Sequence, residues 1–202
     1  DRPRETRTPS RPDGSNELIY EPTWSGYDGA GVQGTYNTVR GYWNVPRVTP
    51  IIPNLSTSAV WVGIDGGPCA LSQCSGNVFQ DGTAQEVWLQ NGVYHYVYFG
   101  WWEEYPYNNA QQLFNVNPGD EMYGTFWKNI QNNKVYGQYY LKDLNTGQAA
   151  NFAIVVGNAL IGDSVEWVVE RATVNNEPTP LADYGTATMA EAEAISGNTT
   201  LY

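Results

Sequence analysis

The 202-residue sequence predicts an all-β sandwich of antiparallel sheets, and three observations carry that expectation. Aromatic residues reach 14% of the chain while charged residues stay at 15%. Gly (21) and Pro (12) are frequent enough to argue against long uninterrupted helices. Short apolar runs recur along the chain with turn residues between them, the pattern of a sandwich. A chain this long buries enough surface to need no metal or disulfide staple.

Residues 1–16 contain Arg, Pro, Ser and Asp but no apolar side chain, so they predict a flexible N-terminal arm or the remnant of a removed pro-segment. Residues 17–202 are expected to form one domain. Its first strand signal is residues 36–45, YNTVRGYWNV, closed by Pro46. Residues 59–64, AVWVGI, form a dense apolar run that stops at the turn Asp65-Gly66-Gly67-Pro68. The aromatic run VYHYVYFGWW occupies residues 93–102, and residues 122–127 and 135–141 alternate. Asn145-Thr146-Gly147 is a hairpin connection, followed by strands over 151–156 and 164–170. Only residues 187–194, ATMAEAEA, hold good helix formers, and the run is short.

Charge excludes one class of function. Basic residues number 10 and acidic residues 21, for a net charge of −11. Setting aside the four Arg and three acidic residues of the first sixteen leaves 6 basic and 18 acidic residues, a body near −12. Nucleic-acid binding needs clustered Lys and Arg, so no nucleic-acid partner is expected. No apolar run approaches the roughly 18 residues of a membrane span, so no membrane partner is expected either. The chain starts in a charged segment without a signal peptide, which suits a mature product whose leader is gone. Few lysines, an acidic body and a possible disulfide together favour a secreted, extracellular protein. A monomer is expected.

Cys69 and Cys74 lie in a Gly/Pro/Ser-rich stretch and read as a small loop disulfide; a metal pair there would lack further ligands. His95 is the single histidine, flanked by Tyr94 and Tyr96, and reads as a packing or hydrogen-bonding residue. No metal site and no cofactor are expected. Asn54-Leu55-Ser56 and Asn198-Thr199-Thr200 are glycosylation sequons, meaningful only in a source that glycosylates secreted proteins.

In residues 165–170, VEWVVE, period two puts Val165, Trp167 and Val169 on one face and Glu166, Val168 and Glu170 on the other. Alternate residues are ~6.6 Å apart, so the two carboxylates sit roughly 13 Å apart and form no dyad by themselves. That second face reads either as a solvent-facing strand side or as the floor of a cleft. Trp101-Trp102-Glu103-Glu104-Tyr105-Pro106 puts carboxylates among aromatics, which a glycoside hydrolase would also need. Adjacent Glu103 and Glu104 point to opposite faces if extended, so at most one serves a given site. Asp65, in a tight turn, could cap its own backbone or orient a catalytic neighbour.

An ordered series of motifs resembles the glutamic endopeptidases called eqolisins. It runs from Thr23-Trp24-Ser25-Gly26-Tyr27 through residues 39–46, VRGYWNVP, to residues 58–66, SAVWVGIDG, the most specific stretch. Gln80-Asp81-Gly82-Thr83, residues 101–106, Pro118-Gly119-Asp120 and residues 144–147 follow in order. Residues 165–171, VEWVVER, and residues 180–185, PLADYG, close it, so the resemblance covers most of residues 24–189. It implies a sandwich of two curved antiparallel sheets of the concanavalin A-like kind, with protein or peptide substrates and no cofactor. It implies a catalytic glutamine at Gln80 and a catalytic glutamate at Glu170, with substrate-binding or supporting roles for Trp24, Trp61, Asp65 and Glu103. Gln73, in the inserted Cys/Ser/Gly-rich loop, rivals Gln80, but Gly82-Thr83 follows Gln80 as the family motif requires. Residues 86–98 look longer than the family minimum, so the cleft rim is expected to differ.

The chemistry that follows is an acid endopeptidase with an activated water. A carboxylate takes the water's proton and returns it to the leaving amine, while a neutral amide donates to the oxyanion. The ordinary carboxyl value predicts a pH maximum between about 2 and 5. The competing classes are a secreted carbohydrate-active enzyme or lectin and an inert adhesion sandwich.

Overall fold

The computed structural model describes residues 6–10, 16–19, 23–67, 75–174, 177–197 and 199–201. Cys69, Cys74, Gln73 and Asn198 lie outside them. Two sheets face each other, as expected. The larger has the order β2 (Asn16–Ile19), β1 (Thr6–Ser10), β3 (Trp24–Ala30), β12 (Ser164–Glu170), β5 (Ser56–Ile64), β6 (Val78–Gln90), β7 (Val93–Tyr105), β8 (Asn108–Asn115). The smaller has the order β11 (Ala149–Val155), β10 (Lys134–Asp143), β9 (Glu121–Gln131), β4 (Thr38–Asn44), β15 (Met189–Ser196), β16 (Thr199–Leu201). A two-stranded ribbon, β13 (Thr173–Val174) and β14 (Glu177–Pro178), follows β12. Pairing is antiparallel except between β1 and β3, which run parallel.

The core lies between the sheets. Val60, Val62, Ile64, Phe79, Val165 and Trp167 of the larger sheet meet Val39, Trp43, Met122, Phe126, Tyr139 and Leu141 of the smaller. Trp167 Nε1 also donates to the Arg40 carbonyl at 2.8 Å, tying the layers together. Polar groups on this inner face are largely paired: Trp43 Nε1 donates to Thr83 Oγ1 at 2.9 Å, and Ser58 Oγ to Gln85 Oε1 at 2.9 Å.

The structure bears on three local readings. Residues 187–194, the one stretch of helix formers, lie largely in β15, because pairing with β4 and burial of Ala194 outweigh a propensity of tenths of a kcal/mol per residue. The N-terminal segment expected as an arm contains β1, which meets β3 at Arg7↔Tyr27; backbone pairing at a sheet edge needs no apolar side chain. Glu166 is buried at 3% exposure, so its side of β12 is a floor, not a solvated face.

Candidate active site

Strand register builds the site. On the outer face of the larger sheet, away from the core, Trp24, Glu170 and Ala59 form one cross-strand row. Val168, Trp61, Gly82 and Trp101 form the next, and Glu166, Gly63, Gln80 and Glu103 the one after. Two-residue alternation puts all of these side chains on the same side. Trp61, Trp101, Val168 and Ala59 pack into a small outer cluster, with Trp24 against it. The two glycines keep the indole of Trp61 close to the sheet. A Cβ on Gly63 would stand 2.8 Å from Trp61 Cζ3, and one on Gly82 would stand 2.5 Å from Trp61 Cβ.

Two hydrogen bonds aim the polar groups. Trp61 Nε1 donates to Glu170 Oε2 at 2.8 Å. Gln80 Nε2 donates to Glu103 Oε2 at 2.7 Å, which fixes the amide with its carbonyl turned away. Gln80 Oε1 is buried and accepts from no protein donor among the described residues. One N–H of the amide and both lone pairs of its oxygen therefore remain for other partners. Burial pushes the Glu170 carboxyl up to about 7, with the nearby Glu103 charge adding to the rise and the Trp61 hydrogen bond opposing it. Burial also raises Glu103, against hydrogen bonds from the Ala110 backbone and Gln80. Glu104, on the opposite face, takes a hydrogen bond from Asn108 Nδ2 at 2.6 Å, so the adjacent pair does divide as its alternation requires.

Asp65 stands apart from Glu170. It is fully buried and left-handed at φ 66°, a conformation that Asp tolerates better than most residues. Its oxygens accept from the backbone N–H groups of Ile161 (2.8 Å), Gly162 (2.6 Å) and Asp163 (3.0 Å). It caps the loop that leads into β12 rather than its own backbone. Burial still wins over those three bonds and lifts its carboxyl to about 7. The expected residues thus divide into Glu170 with Trp61 and Trp24, Gln80 with Glu103, and Asp65 supporting β12 from behind. His95, as expected of a packing residue, stacks on Trp88 with centroids 5.5 Å apart.

One carboxylate escaped the sequence reading. Asp28 is the cross-strand partner of Glu166, and both are almost fully buried. Neither oxygen of Asp28 has a hydrogen-bond partner among the described residues, and Glu166 has only Ser164 beside it to oppose its desolvation. Burial raises Asp28 to about 7 and Glu166 well above its ordinary value. The only sequence signal for that pairing was the register of β3 against β12. Among the described residues, no group of three or more His, Cys, Asp or Glu is arranged to hold a metal ion. Nor is any helix there long and apolar enough to cross a membrane.

Comparison with known proteins agrees with the fold. Aspergillopepsin-2 of Aspergillus niger is 27% identical over 167 residues, which cover 80% of this chain and 52% of that protein. The chain therefore spans about half the length of that relative. Scytalido-glutamic peptidase, crystallised with a peptide-based transition-state analogue, superposes with a TM-score of 0.69 at 22% identity, over 90% of this chain and 83% of that one. Aspergilloglutamic peptidase from Aspergillus niger superposes with a TM-score of 0.55 at 27% identity, over 72% and 80% of the two chains. The sandwich is thus the fold of these peptidases. The profile of the peptidase A4 family matches residues 22–201, nearly the whole folded body, and the chain belongs to that family.

Proposed function

We propose that this chain is a secreted endopeptidase that hydrolyses peptide bonds with Glu170 and Gln80. The supporting observation is their common placement: one sheet face carries Glu170 on Trp61 and Gln80 on Glu103, with the Glu103 charge near enough to raise Glu170. In this reading the Glu170 carboxylate takes a proton from a water, whose oxygen attacks the substrate carbonyl. The free N–H of Gln80 donates to the developing oxyanion, and its carbonyl orients the water. Glu170 then gives the proton to the leaving nitrogen as the C–N bond breaks. Gln80 is neutral at every pH, so one titrating group suffices. Trp61 and Glu103 act as positioning residues, one for each member of the pair. Trp24 offers aromatic surface beside them.

The raised Glu170 changes the pH expectation. A base must be ionised, and one with its value near 7 loses its free form as pH falls through 7. The acid limb of the kcat/KM profile therefore moves up from the ordinary carboxyl range toward neutral pH. The test is a casein digest across a pH series, with Glu170→Gln alongside. Proteolysis by the native chain and none by the variant supports the proposal. Sugar hydrolysis or sugar binding without proteolysis would replace it with the carbohydrate-active reading.

A further inference from the structure

The strip of sheet that holds Gln80 does not end at the active site. The pairs Gln80↔Glu103, Gly82↔Trp101, Ala84↔Phe99, Glu86↔Val97 and Trp88↔His95 step along β6 and β7 two residues at a time. All project to the outer face. Eight residues separate Gln80 from Trp88, ~26 Å at ~3.3 Å per residue. This far end of the hairpin lies in residues 86–98, the segment longer than the family minimum.

A built pocket stands there. Pro53, Asn54, Leu55, Glu86, Trp88 and Leu89 line an open cavity of about 480 Å³, within the ~300–1,000 Å³ typical of ligand pockets. The Leu89 N–H donates to the Pro53 carbonyl at 2.9 Å, which clamps the loop before β5 onto β6. His95 stacks on Trp88 with rings 18° apart and holds the indole in place. On the strand beside Glu86, Thr57 Oγ1 accepts from the Ala172 N–H at 2.8 Å and lies 2.5 Å from Thr179 Oγ1. The chain on either side of the β13–β14 ribbon is thereby fastened to β5. Four of the six lining side chains are apolar, and the partly buried Glu86 carboxyl is raised by desolvation, so the pocket favours an uncharged occupant. Leu89 of the lining and Val93, on the same face as His95, remain exposed, so apolar surface is open to a ligand there.

We infer that this pocket is a remote subsite that holds a bulky apolar side chain of the polypeptide substrate. An extended chain advances ~3.3–3.6 Å per residue, so the residue bound lies seven or eight positions from the scissile bond. The inference rests on the peptidase reading and deepens it: long, unfolded polypeptides are favoured over short peptides.

Three peptides sharing one cleavable hexapeptide core test it. The first is the core alone. The second and third extend it by ten residues on the amino or the carboxyl side, with Phe seven or eight positions from the cleaved bond. One of the two extended peptides is expected to show a KM roughly tenfold below the core at similar kcat, the gain from burying one large apolar side chain. Trp88→Ala should erase that gain and leave cleavage of the core unchanged. Leu89→Asp, at an exposed position, should do the same and serves if Trp88→Ala does not fold. Equal KM values for all three peptides, or an advantage that survives both substitutions, overturn the subsite. A stronger effect of Lys than of Phe at that position overturns the apolar assignment. Failure of the native chain to cleave any of the peptides, casein included, overturns the peptidase reading itself and the subsite with it.

Discussion

The two faces of the eight-stranded sheet are made from the same strands by alternation, yet they bury opposite chemistry. Strand β12 shows the contrast in seven residues: Val165, Trp167 and Val169 face the second sheet, while Glu166, Val168 and Glu170 face outward. The inner face gains stability from apolar burial, about 25 cal/mol per Å². The outer face buries Asp28, Glu166 and Gln80 and half-buries Glu170 against Trp61, which favours the neutral form of each acid. Carboxyls held away from their ordinary values in one region mark a reactive surface. The lesson is that stability and reactivity are divided by side of sheet rather than by domain.

Substitutions on the outer face should therefore remove activity without unfolding the chain, and this is the largest effect expected. Gln80→Ala should cost turnover on the order of 10²–10³, the value of one oxyanion donor, and Glu170→Gln should cost more. Melting temperatures should stay near that of the native chain. An active Gln80→Ala beside an inactive Gln73→Ala would move the glutamine to the inserted loop. The inner face should behave in reverse. Phe79, fully buried and stacked on Phe126 at 5.5 Å, should cost about 3–5 kcal/mol as Phe79→Ala. At roughly 2–4 °C per kcal/mol that lowers Tm by roughly 6–20 °C. A Phe79→Ala protein that melts normally would break the division of labour.

One inner-face residue violates the contrast and sharpens it. Asp81, next to Gln80, is fully buried in the core, and its carboxylate accepts from no side chain among the described residues. Gly124 makes room for it, since a Cβ there would stand 2.6 Å from Asp81 Oδ1. Burial raises Asp81 well above 3.8, as it raises Asp28 and Asp65 to about 7. The folded state thus holds protons that the unfolded state has released. Such groups add stability that is complete below about pH 3.8 and is lost as pH rises through their folded values. Thermal unfolding should therefore occur at lower temperature at pH 8 than at pH 5, and Asp81→Asn should narrow that gap. A melting temperature that rises between pH 5 and 8 would contradict the assignment.

How much of this was legible in the sequence differs between the faces in the same way. Apolar alternation marked β12 at its observed bounds and marked most of β4, β5, β7, β9, β10 and β11, because their inner faces are written in apolar residues. Strand β6 gave no such signal, since its inner positions include Asp81, Thr83 and Gln85 beside Phe79 and Val87. Strand β8, NNAQQLFN, is a polar edge strand and was equally silent. Gln80, Trp61 and Glu103 were singled out through motif resemblance, and Glu170 by the alternation of its strand as well. Asp28 was missed because a lone Asp in a strand means nothing until register sets it opposite Glu166.

A smaller effect should appear when the like charge beside Glu170 is removed. Glu103 raises Glu170, and Glu103→Gln keeps an acceptor for the Gln80 amide while discarding the charge. The Glu170 value should fall, so the acid limb of the kcat/KM profile should shift to lower pH. An acid limb that stays in place would show that another group is the base.

The smallest effect is expected where the two faces meet, at the β1 edge of the sheet. There β1 meets β3 at Arg7↔Tyr27, and residues 1–16 carry no apolar side chain that could enter either face. The main-chain pairing of β1 adds little, since each hydrogen bond replaces one made to water and nets only about 0.5–1.5 kcal/mol before the entropy of ordering the strand. We propose that deleting residues 1–16 leaves turnover unchanged and Tm within about 2 °C, less than the shift of a single kcal/mol. Turnover is protected by distance as well: β3 and β12 stand between β1 and the Trp61 strand. A fall of several degrees would show that this edge contributes to the stability of the sheet, and that backbone pairing without side-chain burial can do part of the work assigned here to the inner face.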